Sequence, residues 1–279
     1  MRTWLITGAS RGFGALIAQR VLDAGDNVIA TARKASDIAL IVDNPSRLLA
    51  LSLDVTNEAQ ANEVAAAALA RYGHIDVLVN NAGYGLLGGV EEASADEVQA
   101  VFATNVFGLL NVTRAVLPSM RARRSGHVVN FSSVGGYQAY PGWGVYDATK
   151  FAVEGLSEAL AAELRPLGVK VTVVEPGFFR TDFLSPQSLS STRRQIDDYA
   201  ETVGAMRTFA AGADHQQPGN PAKLADAMLR IVEANEPPLR LPLGTDTVAR
   251  IEAKHAFVEQ ELAVWRDVAV STDFTPAAA

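Results

Sequence analysis

Residues 3–22 read TWLITGASRGFGALIAQRVL, a short apolar run followed by a glycine-rich turn and a helical pattern. Glycines permit a tight turn and a close approach of backbone to a ligand. A helix that starts there points free N–H groups and its positive dipole end at the same place. The order strand, turn, helix therefore predicts a dinucleotide pyrophosphate site, although the G-x-x-x-G-x-G spacing differs from the common fingerprint and a plain turn is the alternative. We expect cofactor contacts from Gly8, Ser10, Arg11, Gly12, Phe13 and Gly14.

Outward from this stretch, short apolar runs alternate with helical patterns. The runs fall at 4–6, 28–30, 48–53, 77–79, 128–131 and 169–174, and the helical patterns at 15–22, 58–70, 95–120 and 148–164. Nearly continuous apolar runs are typical of strands covered on both faces. Regular alternation of this kind predicts an α/β fold with a parallel sheet and right-handed crossovers, and fits a mixed α+β fold less well.

The regular alternation loosens after Pro176. Residues 183–220 are rich in Ser, Thr, Gln and Gly, and we expect an irregular segment that covers the substrate as a lid. A helix is predicted at 222–232 with Pro221 in its first turn, then a strand at 239–241 and a last helix at about 245–266. The tail at 271–279 has no pattern, and a frayed end is expected. No second domain is predicted within residues 1–279.

Composition excludes several classes of protein. The 279 residues include 48% hydrophobic and 20% charged residues, which argues against disorder, and the net charge of −7 without a basic tract argues against nucleic-acid binding. There are no cysteines, so disulfides, thiol nucleophiles and cysteine-bound zinc are excluded, and we expect no metal. We recognise neither a membrane-spanning stretch nor a signal peptide, and therefore expect a cytoplasmic protein without membrane partners.

The residues at the end of the second predicted strand indicate which cofactor is preferred. NAD sites place an acidic residue about 20 residues after the glycine turn, whereas NADP sites use a nearby Arg. Here the strand ends in Ala32-Arg33-Lys34 without a carboxylate, and Arg11 in the turn is a second candidate for the 2′-phosphate. The sequence therefore predicts NADP(H) over NAD(H), although Arg33 and Lys34 as ordinary solvated charges are the alternative.

Two further strand ends supply candidate cofactor contacts. Asp54-Val55 follows the third strand, where the carboxylate is placed either to accept from the adenine amino group or to cap a helix through Thr56 or Asn57. Asn81-Ala82-Gly83 follows the fourth strand. The carboxyl ends of parallel strands line the ligand crevice in such sheets, but a structural turn is the alternative.

The candidate catalytic residues lie farther along the chain. Tyr146 and Lys150 are four residues apart in a helical pattern, so they share a face, and we expect the cation to lower the pKa of the phenol. A surface pair is the alternative. Ser133 follows a predicted strand, where it is placed to hydrogen-bond a substrate oxygen. Asn105 interrupts a helical pattern, with an amide satisfied by neighbouring turns as the alternative.

Together these motifs resemble the short-chain dehydrogenase/reductase family, in their order and spacing, from Thr7 to about Gly244. The resemblance implies a single-domain Rossmann fold, a doubly wound parallel sheet of about seven strands, and NAD(P)-dependent hydride transfer. It makes Tyr146 the general acid/base, Ser133 the residue that orients the carbonyl, Lys150 a ligand of the nicotinamide ribose and Asn105 the holder of a relay water. It also makes Pro176 and Gly177 cofactor contacts and places Thr181, with the backbone near Phe179, at the nicotinamide carboxamide. It implies dimers or tetramers through helices 95–120 and 148–164.

The substrate is less determined. We expect pocket walls at Val134, Tyr137 and Trp143, and hence a mainly apolar ketone, aldehyde or alcohol, although Tyr137 and Trp143 as core residues are the alternative. The motifs are similar to those of hydroxysteroid and retinol dehydrogenases. A nucleotide-sugar epimerase or dehydratase needs more chain after Pro176. A dinucleotide-sensing regulatory protein usually lacks the Tyr or the Lys.

Overall fold

Seven parallel strands form the central sheet of the protein, whose computed structural model describes residues 1–274. The strands in chain order are β1 (Thr3–Thr7), β2 (Asn27–Ala32), β3 (Leu48–Ser52), β4 (Val77–Asn80), β5 (Gly85–Leu87), β6 (Gly126–Phe131), β7 (Val169–Pro176), β8 (Leu189–Ser191) and β9 (Arg240–Leu243). The main sheet has the order β3-β2-β1-β4-β6-β7-β9, and β5 pairs with β8 in a separate ribbon. This order reverses direction between β1 and β4, which confirms the doubly wound Rossmann fold and places a crevice at the carboxyl end of β1.

Helices cover both faces of the sheet. They are α1 (Gly12–Asp23), α2 (Glu58–Tyr72), α3 (Ala95–Phe102), α4 (Leu109–Arg123), α5 (Gly144–Leu164), α6 (Ala205–Ala213), α7 (Pro221–Glu233) and α8 (Thr245–Val270). On one face, Ile17 and Val21 of α1 join Leu224 and Met228 of α7 in a buried cluster with the strands. On the other face, residues of α2 and α4 form a second cluster, so the strands are apolar on both sides, as their composition predicts.

Local signals fix the ends of α2. Asn57 caps its start, since the side-chain oxygen accepts from the backbone N–H of Gln60 at 3.2 Å. Gly73 ends it with φ +78°, a left-handed conformation that favours glycine. These two residues fix the ends of the helix that connects β3 to β4.

The helical pattern at 95–120 is interrupted in the structure. A π-helical turn, Ala103–Gly108, separates α3 from α4, and Asn105 lies within it. Such turns are often found at functional sites. Within the segment Ala95–Arg123, a window of 18 residues has a mean hydropathy of 1.4, so the segment is long and apolar enough to span a membrane by length and composition. Half of that window, however, is buried inside the protein. Burial of this kind is typical of a core helix.

The expectation of an irregular segment at 183–220 is partly wrong. β8 pairs with β5, α6 occupies Ala205–Ala213, and a second π-helical turn, Ala200–Gly204, precedes α6. The pairing partner of β8 lies about 100 residues away in sequence, so the local composition carries no sign of it. The last helix, α8, runs to Val270, beyond the predicted end, and the part of the predicted frayed tail at 275–279 lies outside the described residues.

Candidate active site

A cavity of about 920 Å³ follows the carboxyl edge of the sheet, from the glycine turn to an aromatic end at Trp143, Phe183 and Phe209. Most of the predicted site residues line it. They are Gly8, Ser10, Arg11, Gly12, Phe13, Arg33, Asp54, Val55, Asn81, Ala82, Gly83, Ser133, Val134, Trp143, Tyr146, Lys150, Pro176, Gly177, Phe179 and Thr181. Gly14, Asn105 and Tyr137 do not line it.

The glycine turn has the backbone that its sequence predicts. Gly8 and Gly12 have φ of +68° and +55°, which other residues rarely adopt. Gly14 acts by packing, since a Cβ there would lie 2.2 Å from the carbonyl oxygen of Gly8. α1 begins at Gly12, and Arg11 at its start gives it no side-chain cap among the described contacts. The positive N-terminal end of α1 therefore lies at the cavity, an arrangement that fits a pyrophosphate.

Asn81 holds the glycine turn against β4. Its Nδ2 donates to the carbonyl oxygens of Thr7 and Gly8 at 2.9 and 3.1 Å. In return, the Thr7 hydroxyl oxygen accepts from the backbone N–H groups of Asn81 and Ala82, both at 3.0 Å. Asn81 is thus more than the plain turn residue of the alternative, because it fixes the loop that fits the pyrophosphate.

At the end of the cavity beside β2 and β3, Arg33 is exposed where β2 ends. Asp54 Oδ1 accepts from the Thr56 N–H at 3.0 Å and the Thr56 hydroxyl at 2.7 Å, which is a local turn leading to the cap at Asn57. Asp54 also lines the cavity, so the structure is compatible with both interpretations of this carboxylate.

Arg11 lines the cavity and already has two hydrogen-bond acceptors in this structure, and its expected contact with a 2′-phosphate stays a prediction. Its guanidinium donates to the carbonyl oxygen of Gln187 at 2.6 Å and to the Ser188 hydroxyl at 3.2 Å. Arg11 therefore ties the glycine turn to the segment that we expected to cover the substrate. The sequence gives no signal for this pairing, because the partners are more than 170 residues apart.

Tyr146 and Lys150 lie one turn apart on α5, as predicted. The Lys150 ammonium is 5.6 Å from the centroid of the Tyr146 ring and donates to the carbonyl oxygen of Phe131 at 2.9 Å. Ser133 lies just beyond β6 and its Oγ accepts from the Gly135 N–H at 3.1 Å. All three side chains converge on the cavity, so the alternative of a surface pair is excluded.

The expected lowering of the Tyr146 pKa is wrong for this structure. Burial raises the pKa of Tyr146 above its ordinary value, the nearby Asp147 carboxylate raises it further, and contact with Ser133 lowers it. Burial also lowers the pKa of Lys150 to about 8, against the charge of Glu154. Burial is the largest cause for both groups, because both side chains lie inside the protein. The phenol is therefore held protonated.

Asn105 connects three parts of the site instead of bonding to its own helix. Its Nδ2 donates to the Tyr84 carbonyl oxygen at 3.0 Å and to the Thr149 hydroxyl at 3.1 Å, and its Oδ1 accepts from the Tyr84 N–H at 3.1 Å. The alternative of satisfaction by neighbouring turns is wrong. A Cβ on Gly83 would lie 3.1 Å from Asn105 Oδ1 and 3.8 Å from Lys150 Nζ, so glycine keeps this approach open.

The aromatic end of the cavity includes Trp143, which also packs in a core cluster, and Tyr137 is not part of it. Trp143 is 7% exposed, and its ring centroid lies 5.6 Å from that of Tyr146 and 6.2 Å from that of Phe183. The Tyr137 hydroxyl instead hydrogen-bonds His255 of α8, away from the lining. Sequence reasoning placed Tyr137 in the pocket because the contact with α8 joins residues 118 positions apart.

Sequence reasoning missed two charged residues at this end. Asp147 accepts the Tyr140 N–H at 2.9 Å, and burial raises its pKa to about 7. Arg250 of α8 stacks over the Tyr140 ring, 4.7 Å from its centroid, and both line the cavity. Asp147 was detectable, since it directly follows the predicted catalytic Tyr146. Nothing in the local sequence marks Arg250.

Known proteins resemble this chain over its length. A family model described as short chain dehydrogenase matches residues 2–191. A 3-ketodihydrosphingosine reductase from Bacteroides thetaiotaomicron is 40% identical over 241 residues, covering 86% of this chain and 87% of the relative. A short-chain dehydrogenase from Streptomyces avermitilis is 44% identical, with a TM-score of 0.91 over 98% of this chain and 100% of that structure.

Two further solved structures hold cofactors. The closed form of a serine dehydrogenase, complexed with NADP⁺, is 30% identical, with a TM-score of 0.72 over 86% of this chain and 94% of that one. A short-chain dehydrogenase/reductase from Burkholderia phymatum, in complex with NAD, is 25% identical, with a TM-score of 0.80 over 100% of this chain and 98% of that one. Similar folds thus hold either cofactor.

Proposed function

Because this chain belongs to the short-chain dehydrogenase/reductase family, it is an oxidoreductase, and we propose that it transfers hydride between NADP(H) and a mainly apolar small molecule. The reaction interconverts a ketone or aldehyde with the corresponding alcohol. The name of the Bacteroides relative, a 3-ketodihydrosphingosine reductase, is consistent with a ketone substrate.

One observation carries the proposal. Tyr146, Ser133 and Lys150 meet in a cavity that is continuous with the glycine turn on one side and with apolar rings on the other. A group bound along the turn and a carbonyl held among the rings would therefore meet beside the Tyr146 phenol. A regulatory protein that only senses a dinucleotide has no use for such a convergence.

The residues of the chain account for the proton. A nicotinamide cofactor, when bound, supplies or accepts the hydride. In the direction of reduction, Tyr146 Oη donates a proton to the substrate oxygen, and burial keeps that phenol protonated beforehand. Ser133 Oγ already accepts from the Gly135 N–H, so its own hydrogen is placed to orient the same oxygen. The positive charge of Lys150 stabilises the negative charge that is left on Tyr146.

Asn105 fits the role of a positioning residue. Both of its Nδ2 hydrogens are donated, to Tyr84 and Thr149, and Oδ1 retains capacity to accept one more hydrogen bond. The relay water that the family resemblance implies at Asn105 stays a prediction.

The preference for NADP(H) rests on the end of β2. Arg33 lines the cavity there, and the two residues directly after Ala32 are Arg33 and Lys34, so no carboxylate stands at the position expected for the ribose hydroxyls. An exposed guanidinium beside the adenosine end favours a phosphate over a hydroxyl, since Arg and phosphate form charge-assisted bonds. Arg11 already donates to Gln187 and Ser188, so the proposed preference rests on Arg33 and not on Arg11.

A direct spectrophotometric assay tests the proposal. Purified protein is mixed with NADPH and each member of a panel of apolar ketones and aldehydes, and oxidation of NADPH is followed by absorbance. We expect turnover with at least one apolar carbonyl compound and a slower rate with NADH. Binding of NADPH without turnover on any panel member, including long-chain ketones, would instead favour a regulatory role.

Assembly and location remain predictions. The outer side chains Phe107 and Phe151 are exposed on the segments that the family resemblance assigns to subunit contacts, which supports a homodimer or homotetramer. We also propose a cytoplasmic location, without nucleic acid or membrane as a partner.

A further inference from the structure

Helix α8 extends away from the body of the protein with an apolar surface. It has 26 residues, and from His255 to its end at Val270 every residue is exposed. Its exposed large side chains include Phe257, Val258, Leu262, Val264, Trp265 and Val268, and Trp265 and Val264 are exposed by 63% and 76%. Large contiguous apolar surfaces of this kind mark interaction sites.

The base of α8 is anchored, so its direction is fixed. The Asp246 carboxylate accepts the backbone N–H of Phe178 at 2.9 Å, and the Arg250 guanidinium stacks over Tyr140. The His255 ring packs edge-on against Tyr137 with centroids 5.4 Å apart. Within the described part of the chain, residues 256–270 make no hydrogen bond or salt bridge to any residue before α8. An isolated helix of about 15 residues is marginal in water, so a partner is needed to hold it.

Two charges of opposite sign interrupt the apolar face. Lys254 and Glu261 are seven residues apart, two helical turns, so they lie on the same side of α8. Phe257 lies between them on that side, with the Lys254 ammonium 5.3 Å from the centroid of its ring. A shallow groove of about 190 Å³ runs along Phe257, Glu261 and Trp265.

This arrangement is complementary to itself. If two copies of α8 pack antiparallel about a two-fold axis between Phe257 and Val258, Lys254 of each copy lies opposite Glu261 of the other. Two ion pairs then form within an apolar contact, and they fix the register, as polar residues inside helix pairs do. A two-fold contact of this kind closes on itself and stops at a dimer.

The charge of α8 disfavours a lipid surface as the occupant. The helix has five acidic residues, Asp246, Glu252, Glu259, Glu261 and Asp267, against the three basic residues Arg250, Lys254 and Arg266. Helices that lie on membranes are typically rich in Lys and Arg on the polar face, and anionic lipids would repel an acidic one.

From these observations we propose that α8 is a homodimerisation element, which pairs antiparallel with α8 of a second copy of this chain through Lys254, Glu261 and the apolar side chains between and beyond them. Its residues are different from Phe107 and Phe151, which lie on the segments that the family resemblance assigns to subunit contacts. It also bears on the site, because the base of α8 holds Tyr140 at the cavity wall. The second copy therefore stabilises the helix that completes that wall.

The experiment measures molar mass by sedimentation equilibrium for the full chain and three variants. Lys254→Glu makes both opposing pairs acidic and Glu261→Lys makes both basic, so each variant should lose the α8 contact and have half the wild-type mass, with a dissociation constant raised about tenfold or more. A mixture of the two variants restores opposite charges at both pairs and should regain the wild-type mass.

The matched control is Glu259→Lys, the same change of charge on the same helix. Residues on a helix are about 100° apart, so Glu259 points away from Lys254 and Glu261, and the variant should keep the wild-type mass. Circular dichroism and the melting temperature establish that each variant is folded. Glu259 and Glu261 are exposed and Lys254 is half-buried, so we expect each variant to fold and to change only in association.

Three results would overturn the proposal. One is a wild-type mass that both single variants keep, which places any dimer contact elsewhere. Another is two variants that lose association and do not recover it when mixed. The third is a monomeric wild-type protein. In that case co-sedimentation with vesicles of phosphatidylcholine and phosphatidylglycerol would assign the apolar face to a lipid surface instead.

Discussion

Lys150 donates from Nζ to the carbonyl oxygen of Phe131 at 2.9 Å, which ties the catalytic face of α5 to the end of β6. The ammonium is thereby fixed 5.6 Å from the centroid of the Tyr146 ring, and Ser133 follows two residues after Phe131. One hydrogen bond thus places the cation, the phenol and the hydroxyl on the same side of the cavity. In the proposed mechanism, this contact at the sheet edge fixes the position of the cation beside the proton donor.

Asp147 should make stability fall as pH rises. Burial raises its pKa to about 7 in the folded protein, from an ordinary value near 4. The folded state therefore binds the proton more tightly than the unfolded state, and the stability that this proton contributes is lost as the pH rises from about 4 to 7. Asp147→Asn removes this dependence. We expect the free energy of unfolding of the wild type, measured by urea titration, to fall relative to the variant by up to roughly 4 kcal/mol across that interval, at about 1.4 kcal/mol per pKa unit.

The hydrogen bond from the Tyr140 N–H to Asp147 can be kept by an Asn side chain, so the variant is expected to fold. Parallel stability profiles for the two proteins would mean that Asp147 does not titrate in this interval.

Arg33→Ala should weaken NADPH binding selectively. Losing a charge-assisted contact to phosphate costs roughly 1.5–3 kcal/mol, so the Kd for NADPH should rise by about ten- to a hundredfold, whereas that for NADH should stay nearly constant. Lys34→Ala is the matched control, because Lys34 is exposed beside Arg33 but does not line the cavity. Calorimetric titration gives both constants. An equal loss for the two cofactors would remove Arg33 from recognition of the 2′-phosphate.

Gly14→Ala should disrupt the glycine turn. The new Cβ would lie 2.2 Å from the Gly8 carbonyl oxygen, a backbone atom that moves only with the turn. We expect a loss of stability of about 1–3 kcal/mol and weaker binding of both cofactors. Gly155→Ala on α5 is the control: no neighbouring heavy atom lies within 4 Å of a Cβ there, and helix propensity predicts a gain of up to about 1 kcal/mol. Melting temperatures that shift alike in the two variants would contradict this account.

Trp143→Phe should change substrate preference. The Trp143 ring packs on Tyr146 and Phe183 at the aromatic end of the cavity, and a smaller ring leaves space for bulkier carbonyl compounds. We expect the ratio of kcat/KM between bulky and small ketones to shift by about tenfold, with cofactor affinity retained. Trp4→Phe, at a buried tryptophan outside the cavity, should lower stability without altering that ratio. Identical ratios in all three proteins would make Trp143 a packing residue only.

The parallel α/β sheet and most of the residues that line the cavity were predictable because their signals are local. Strand runs, the glycine turn and the Tyr146–Lys150 spacing each lie within a few residues of one another, and the carboxyl edge of a parallel sheet brings them together. The resemblance to a known family then assigned roles, which local spacing alone does not.

What the sequence did not predict depends on distant contacts. The bond of Arg11 to Gln187, the pairing of β5 with β8 and the contact of Tyr137 with His255 each join segments about 100 residues apart or more. The direction of the Tyr146 pKa was also missed. Spacing on a helix predicts which charge is near, whereas the degree of burial that outweighs it follows only from the packed structure.

The central claim is that Tyr146 supplies the proton in hydride transfer to a carbonyl compound. Its most direct test compares wild type with Tyr146→Phe, measuring NADPH oxidation with a ketone that the wild type reduces, and NADPH affinity by calorimetry. We predict that the variant loses turnover by at least about a hundredfold while the Kd for NADPH changes little. Turnover retained at the wild-type rate, with the same affinity, would contradict the account and assign the proton to another group.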